Sequence, residues 1–254
     1  MVDIHSHILW DLDDGSPDIE TSLAMLKLAW ESGTTDIVGT PHSNGEYEYR
    51  PAVIDERIRE LTDRTGGQPK IHRGCDFHLN FENVDSLLED PGVYTIAAKQ
   101  YLLVECPDYH VGHHTELVLR RLIDAGIVPI VTHPERNPVL QKELKRVEEW
   151  VELGCLVQVT ALSVTGGFGG SATTACNRLL SRGLVHVVAS DAHDPVHRNT
   201  RLDKARDVVR ARYGDEAAEI LFTENPRDIV EGYNVPGGKQ NFAGAPKSWW
   251  EFWK

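Results

Sequence analysis

Met1-Val-Asp-Ile-His-Ser-His-Ile-Leu-Trp-Asp-Leu-Asp-Asp-Gly15 carries the pattern from which the fold is read. Val2 and Ile4 signal a short apolar strand that runs into His5 and His7, and a loop follows with Asp11, Asp13 and Asp14. Side chains two apart on a strand point the same way, so the two imidazoles can grip one divalent cation. Nearby carboxylates suit a harder ion or a second one. Alone, His-x-His is a weak motif. Its weight depends on whether such residues return at other strand ends.

They return repeatedly. Ser16-Pro17-Asp18 reads as cap, first-turn proline and acidic turn of a helix carrying Ile19, Leu23, Leu26 and Trp30, closed by Gly33. A strand over 36–40 ends in Pro41-His42, and a helix fits Pro51 to Thr65, stopped by Gly66-Gly67. A short strand near 70–72 precedes a loop, Gly74-Cys-Asp76-Phe-His78, and a short helix is expected around 83–88. The strand 101–104 ends in Glu105, and the strand 127–131 ends in Thr132-His133-Pro-Glu-Arg136. After a strand at 155–159, the strand 184–189 ends in Ser190-Asp191-Ala-His193. Helices are expected near 117–126, 140–153, 172–182, 199–213 and 215–222, with a flexible glycine loop at 166–170 and a turn at Asn225-Pro226.

About seven apolar strands alternating with helices imply α/β architecture with a covered parallel sheet. Their number and spacing predict a closed or nearly closed β/α barrel, a single domain over residues 1–235. A doubly wound open sheet is the alternative, but no glycine fingerprint follows the first strand. His5/His7, His42, Asp76, Glu105, His133 and Asp191/His193 each fall just after a strand. In a barrel those ends meet on one face, where active sites are built. A single buried histidine is ordinarily a hydrogen-bonded core side chain. Six returns to one rim point instead to a metal centre.

Composition narrows the function. With 39 acidic against 26 basic residues the formal charge is −13, which argues against a nucleic-acid binder. Hydrophobic residues make up 41% of the 254, enough for a full core. The four cysteines lie far apart, as expected of a reducing compartment. No basic-and-apolar leader precedes His5 and no apolar run approaches the ~20 residues of a membrane span, so a cytoplasmic protein is expected.

His5-Ser-His7 with Asp13-Asp14-Gly15, Thr40-Pro41-His42, Val104-Glu105, His133-Pro-Glu-Arg136 and Ser190-Asp-Ala-His193 resemble the polymerase-and-histidinol-phosphatase (PHP) superfamily. Within it the match is to the bacterial metal-dependent protein-tyrosine phosphatases of capsule and exopolysaccharide operons. The resemblance covers about residues 1–235 and implies a distorted seven-stranded β/α barrel with a trinuclear site. One metal would take His5, His7, Asp191 and a bridging carboxylate. A second would share that carboxylate and add Glu105 and His133. The third would take Asp14, His42 and His193. The bridging position, usually Glu in this family, is Asp76 here, one methylene shorter; the neighbouring His78 could compensate, with a structural role or none as the default reading.

The resemblance also implies phosphate binding by Arg136 and Arg198, manganese as the usual ion, and a tyrosine autokinase of polysaccharide biosynthesis as substrate. A planar guanidinium suits a phosphate face. Ligands without thiolate favour Mn, Fe, Co or Zn. Metal-activated hydroxide would attack phosphorus, with Asp191 beside the two arginines in the catalytic set. Histidinol phosphate or another small phosphomonoester is the alternative substrate, and a metal-bound regulatory scaffold the non-enzyme alternative. Cys176 to Arg182 formally fits the C-x5-R loop of cysteine phosphatases, but it lacks glycine and reads as helix.

Two segments stand apart. His110, His113 and His114 form a His-rich loop after Glu105, a solvated loop by default that could border the substrate cleft. Residues 236–254 read as a linker and an aromatic tail, with three of the six tryptophans in the last six positions. Such density predicts docking on the barrel, on a second subunit or at a membrane surface.

Overall fold

A computed structural model describes residues 1–79, 84–107 and 111–242. The first half of the chain forms β1 (Val2–Ser6), α1 (Ile19–Glu31), β2 (Asp36–Gly39), β3 (His42–Ser43), α2 (Pro51–Thr65), β4 (Lys70–Arg73), β5 (Asp76–His78), α3 (Val84–Glu89) and β6 (Tyr101–Glu105). The second half forms α4 (His113–Asp124), β7 (Val128–Thr132), α5 (Leu144–Leu153), β8 (Leu156–Thr160), α6 (Ala161–Thr165), α7 (Gly169–Ser181) and β9 (Val187–Ala189). Then come α8 (Asp203–Tyr213), α9 (Asp215–Glu219), a π-helical turn (Ile220–Glu224) and α10 (Asn225–Glu231).

All strand pairings are parallel, in two sheets ordered β1-β2-β4 and β3-β5-β6-β7-β8-β9. The two sheets belong to one circuit. β2 continues after a two-residue gap as β3, and β4 continues as β5. The far edges meet where Ser6 bridges Ala192, with the Asp191 N–H donating to His5 C=O and the His7 N–H to Ala192 C=O, each at 2.8 Å. Nine strand segments therefore make seven positions around a distorted barrel of one domain, because two of the seven are broken in the middle.

Alternation sorts the strand residues onto two faces. Val2, Ile4, Leu103, Ile130, Leu156 and Val187 pack together inside. Leu102, Val104, Val131, Val157 and Val188 face outward onto helical Leu122, Trp150 and Leu179. In α5 the buried set Val147, Trp150 and Val151 has the spacing of one helix face. Burying each such large side chain contributes about 1.5–3 kcal/mol. Met25, Leu26, Ile54 and Leu61 of α1 and α2 form a third cluster over Ile37.

Several local expectations change. Asp18, whose carboxylate accepts from the Thr21 N–H, caps α1; Ser16 is buried and hydrogen-bonds the Ser22 hydroxyl instead. Asp76 opens β5 rather than lying in a loop, because the broken strand resumes pairing there with β3 and β6. The glycines at 166–170 are no flexible loop: Gly166 closes α6 in the left-handed region and Gly169 starts α7. Asn225-Pro226 is no turn either. Pro226 sits in the first turn of α10, and the π turn directly before it joins α10 to α9, an irregularity expected where a proline cannot donate back to the preceding turn. The helix expected from 140 begins at Leu144.

Val235 and Phe242 are buried in the core, and the Gln240 N–H donates to Gly183 C=O at 2.7 Å. A side chain at Gly183 would lie 2.0 Å from Gln240 O, so only glycine admits this approach. Among the described residues no helix is long and apolar enough to cross a membrane. His110, the His113 side chain and the tryptophans of the tail lie outside the described residues; His114 is exposed on the first turn of α4.

Candidate metal centre

A bulge in β1 aims the first histidine. Asp3 pairs with Ile37 and Ser6 with Gly39, so β1 carries one residue more than β2 between them. That extra residue lets Ile4 pack inside while its neighbour His5 also turns toward the rim, as bulges do when they re-aim a side chain. Asp3, fully buried, accepts from the amides of His5 and Ser190 at 3.4 and 3.0 Å and so holds the bulge. Burial pushes its carboxyl up to about 6.

Three imidazoles are oriented by the same device. His5 Nδ1 donates to Gln158 Oε1 at 3.0 Å, His7 Nδ1 to Asp13 Oδ2 at 2.7 Å and His193 Nδ1 to Asp191 C=O at 3.0 Å. In each case the outer nitrogen is anchored and Nε2 is presented to the rim, the arrangement of metal-ligating histidines. His5 Nε2 stands 3.5 Å from both Asp76 Oδ2 and Asp191 Oδ1, and His7 Nε2 3.4 Å from Asp191 Oδ1. His193 Nε2 lies 3.5 Å from Asp14 Oδ1.

His42 and Glu105 complete the ring. The break before β3 brings His42 level with Asp76, its Nδ1 3.2 Å from Asp76 Oδ2 and 3.7 Å from Glu105 Oε2. Its Nε2 faces Asp14 at 3.4 Å. His133 Nε2 lies 3.6 Å from Glu105 Oε1. His133 and Asp191 both adopt left-handed backbone (φ 32° and 49°), unusual for residues other than glycine and frequent where function fixes a side chain.

The electrostatics ask for positive charge. Burial opposes a proton on His7 and His42, yet carboxylates outweigh it: Asp13 lifts His7 to about 9, and Asp14 and Asp76 lift His42 to about 11. Burial likewise opposes ionisation of Asp76, but His5 and His42 hold its carboxyl well below the usual range. Burial and the Arg136 charge keep His133 well below an ordinary histidine, and burial with His7 keeps His193 at about 4, so both rings are neutral near pH 7.

The decisive atoms belong to Asp76. Its carboxylate is fully buried, and neither oxygen has a hydrogen-bond donor. A buried carboxylate without hydrogen bonds is costly; protonated His5 and His42 offset its charge, and once those imidazoles are neutral only another cation can replace them. Cations fit here. Among the described residues, three overlapping groups have donor atoms within 4.8 Å of one another: His7/Asp14/His42/His193, His5/His7/Asp76 and His42/Asp76/Glu105. His7, His42 and Asp76 fall in two groups each, while Asp191 and His133 fall in none of the three.

Beside this rim, Arg136 and Arg198 both donate to Asp191 Oδ2, Arg198 at 2.7 Å. A cavity of about 100 Å³ opens next to them between Glu105, Thr132, His133, Arg136 and Asn137. Asp194 knits the loop carrying Arg198 by accepting from the amides of Val196, His197 and Arg198. Every residue expected at the site is brought to one face. His78 joins them through Glu105, with its Nδ1 3.4 Å from Oε2.

Sequence reading missed the supports. Asp13 Oδ2 serves His7 and the His42 N–H (3.0 Å) together, and a side chain at Gly15 would collide with His7, which explains the glycine. Glu135, fully buried, ties the His133 loop to the Thr160 N–H at 2.9 Å. Gln158 and Phe168 were not singled out at all. Cys176, by contrast, is buried inside α7 with its thiol pushed well above normal, so the C-x5-R match has no chemical meaning.

Fold and rim together define a class: a parallel α/β barrel whose strand ends gather five histidines and four carboxylates around more than one cation-sized gap. Within that class, the chain belongs to the capsular polysaccharide synthesis CpsB/CapC family, whose model matches residues 1–231. It is 32% identical over 239 residues to the tyrosine-protein phosphatase CpsB of Streptococcus pneumoniae, covering 91% of this chain and 98% of that protein. Identity is again 32% over 239 residues to the tyrosine-protein phosphatase YwqE of Bacillus subtilis (strain 168), covering 92% and 93%. A solved structure from a study of YwqE and CpsB as metal-dependent tyrosine phosphatases superposes with a TM-score of 0.88. It is 30% identical, covering 96% of this chain and 99% of that one.

Proposed function

We propose that this chain is a metal-dependent protein-tyrosine phosphatase of polysaccharide biosynthesis, its barrel unit spanning residues 1–235. The observation that carries the reading is the buried Asp76 carboxylate, without a hydrogen bond at either oxygen, amid a ring of oriented imidazoles with two arginines beside it. His5, His7, Asp76 and Asp191 would hold one ion, Asp76, Glu105 and His133 a second, and Asp14, His42 and His193 a third. Manganese is the ion proposed; the nitrogen-and-oxygen donor set without thiolate also suits Fe, Co or Zn.

Bound divalent ions would supply an activated water and offset phosphate charge. The chain's residues do the rest. Arg136 and Arg198 grip the phosphate oxygens, each offering paired donors on a planar face. To do so they would release Asp191 Oδ2, whose charge divalent ions held at the rim would offset. Asp13, Gln158 and the Asp191 carbonyl keep three imidazoles in the tautomer that presents Nε2. A phenol leaves with a pKa near ~10, so the leaving group needs less protonation than an alcohol.

The named activity of the CpsB and YwqE relatives supports tyrosine over histidinol phosphate. The proposed substrate is a tyrosine autokinase of the same pathway. Four buried, unpaired cysteines fit a cytoplasmic setting. Turnover of a phosphotyrosine peptide and of histidinol phosphate, measured side by side with added Mn, tests the assignment. Preference for the peptide is expected; preference for histidinol phosphate overturns it.

A further inference from the structure

Phe168 stands between α6 and α7, where two turns fix it. The Gly167 N–H donates to Leu162 C=O at 2.7 Å and the Gly169 N–H to Gly166 C=O at 3.1 Å, with Gly166 and Gly169 both at positive φ. Its ring is half-buried and belongs to none of the three hydrophobic clusters. The Arg136 guanidinium carbon lies 4.6 Å from the ring centroid, and that of Arg198 lies 5.8 Å from it. Both guanidiniums reach Asp191 Oδ2 as well.

Two like charges gathered at one oxygen repel each other, and each must be held by something else. Asp191 holds them, but it competes with any incoming phosphate for the same N–H donors. A phenyl ring attracts a cation through its quadrupole and offers no oxygen, so it anchors the pair without competing. A ring placed here for packing alone would join the core, which this one does not.

We propose that Phe168 is a positioning residue: its ring holds Arg136 and Arg198 in the arrangement that receives phosphate. The proposal rests on the reading of those arginines as the phosphate grip. It predicts an effect on the phosphate itself, whatever group the phosphate carries.

Steady-state kinetics of the manganese-loaded full chain with para-nitrophenyl phosphate, together with inhibition by inorganic phosphate, test this in Phe168→Leu and Phe168→Tyr. Leu keeps apolar bulk and loses the ring; Tyr keeps the ring. In Phe168→Leu, kcat/KM is expected to fall about tenfold and the inhibition constant of inorganic phosphate to rise by a similar factor, the scale of a partly desolvated cation–π contact. Phe168→Tyr is expected to stay within about twofold of the parent, because the aromatic face remains. Unchanged phosphate inhibition in Phe168→Leu overturns the proposal, whether or not kcat/KM falls, since the ring would then meet the leaving group or nothing. A Tyr variant as impaired as the Leu variant overturns it too. A parent chain that hydrolyses no phosphomonoester overturns the phosphatase reading itself, an outcome distinct from an active parent with an indifferent variant.

Discussion

Asp13 Oδ2 accepts from His7 Nδ1 and from the His42 N–H, so one carboxylate fixes two histidines that share a donor group with Asp14 and His193. Asp13→Asn keeps the shape and loses the charge-assisted bond, and supports of this kind are typically worth about 10–100-fold in metal affinity or activity. Metal titration followed by activity should show that loss; parental affinity would remove Asp13 from the site. Asp76→Asn is expected to lose at least about a hundredfold in turnover, because a neutral amide cannot offset cations at a buried bridge. Cys176→Ser, in contrast, should leave kcat/KM within about twofold, since a thiol pushed well above its usual range and sealed in α7 cannot act as a nucleophile. The candidate ligands were legible as residues because metal chemistry restricts donor types to few amino acids. Asp13 was quoted within the Asp-Asp-Gly motif, yet its role depends on a bond across 29 positions to His42 that no local pattern encodes.

At the scale of elements, the position of a ligand follows from where a strand breaks or bulges. β2 and β4 each stop and resume after a two-residue gap, which sets His42 opposite Asp76, and the β1 bulge turns His5 inward. Apolar runs revealed the strands but not these interruptions, because a break leaves the hydrophobic period nearly intact on either side. The same limit hid Phe168: a glycine-rich run reads as flexibility, whereas here its glycines close one helix and open the next.

His186 illustrates how β8, β9 and the segment after α10 are joined. The Val157 N–H donates to its Nδ1 at 3.1 Å, and its Nε2–H donates to Gly238 C=O at 3.0 Å, so both nitrogens are committed in the neutral form. Burial holds its pKa down at about 4, against an ordinary value near ~6.5. Below pH ~6.5 the unfolded chain binds a proton that the folded chain refuses, so stability falls with acidity down to about pH 4 and is level above ~6.5. This residue alone should cost about 2 kcal/mol between pH 7.5 and 5. Urea midpoints at those two pH values should differ less in His186→Gln than in the parent; equal differences would mean that His186 does not titrate in this way.

For the whole molecule, closure of the barrel is what turns scattered residues into a site. The Ser6–Ala192 bridge brings the first strand end beside the last, placing His5 and His7 within 3.5 Å of Asp191. Alternation of strands and helices announced this architecture, and the strand-end pattern announced the rim, because parallel strands must gather their C-terminal ends on one side. The central claim is that cations held at this rim are required for phosphotyrosine hydrolysis. Its most direct test is turnover of a phosphotyrosine peptide before metal removal, after exhaustive removal verified by elemental analysis, and after Mn is restored. The account predicts two or more metal ions per chain at the start, loss of activity with the metal, and recovery on return. Activity that persists in verifiably metal-free protein would contradict it.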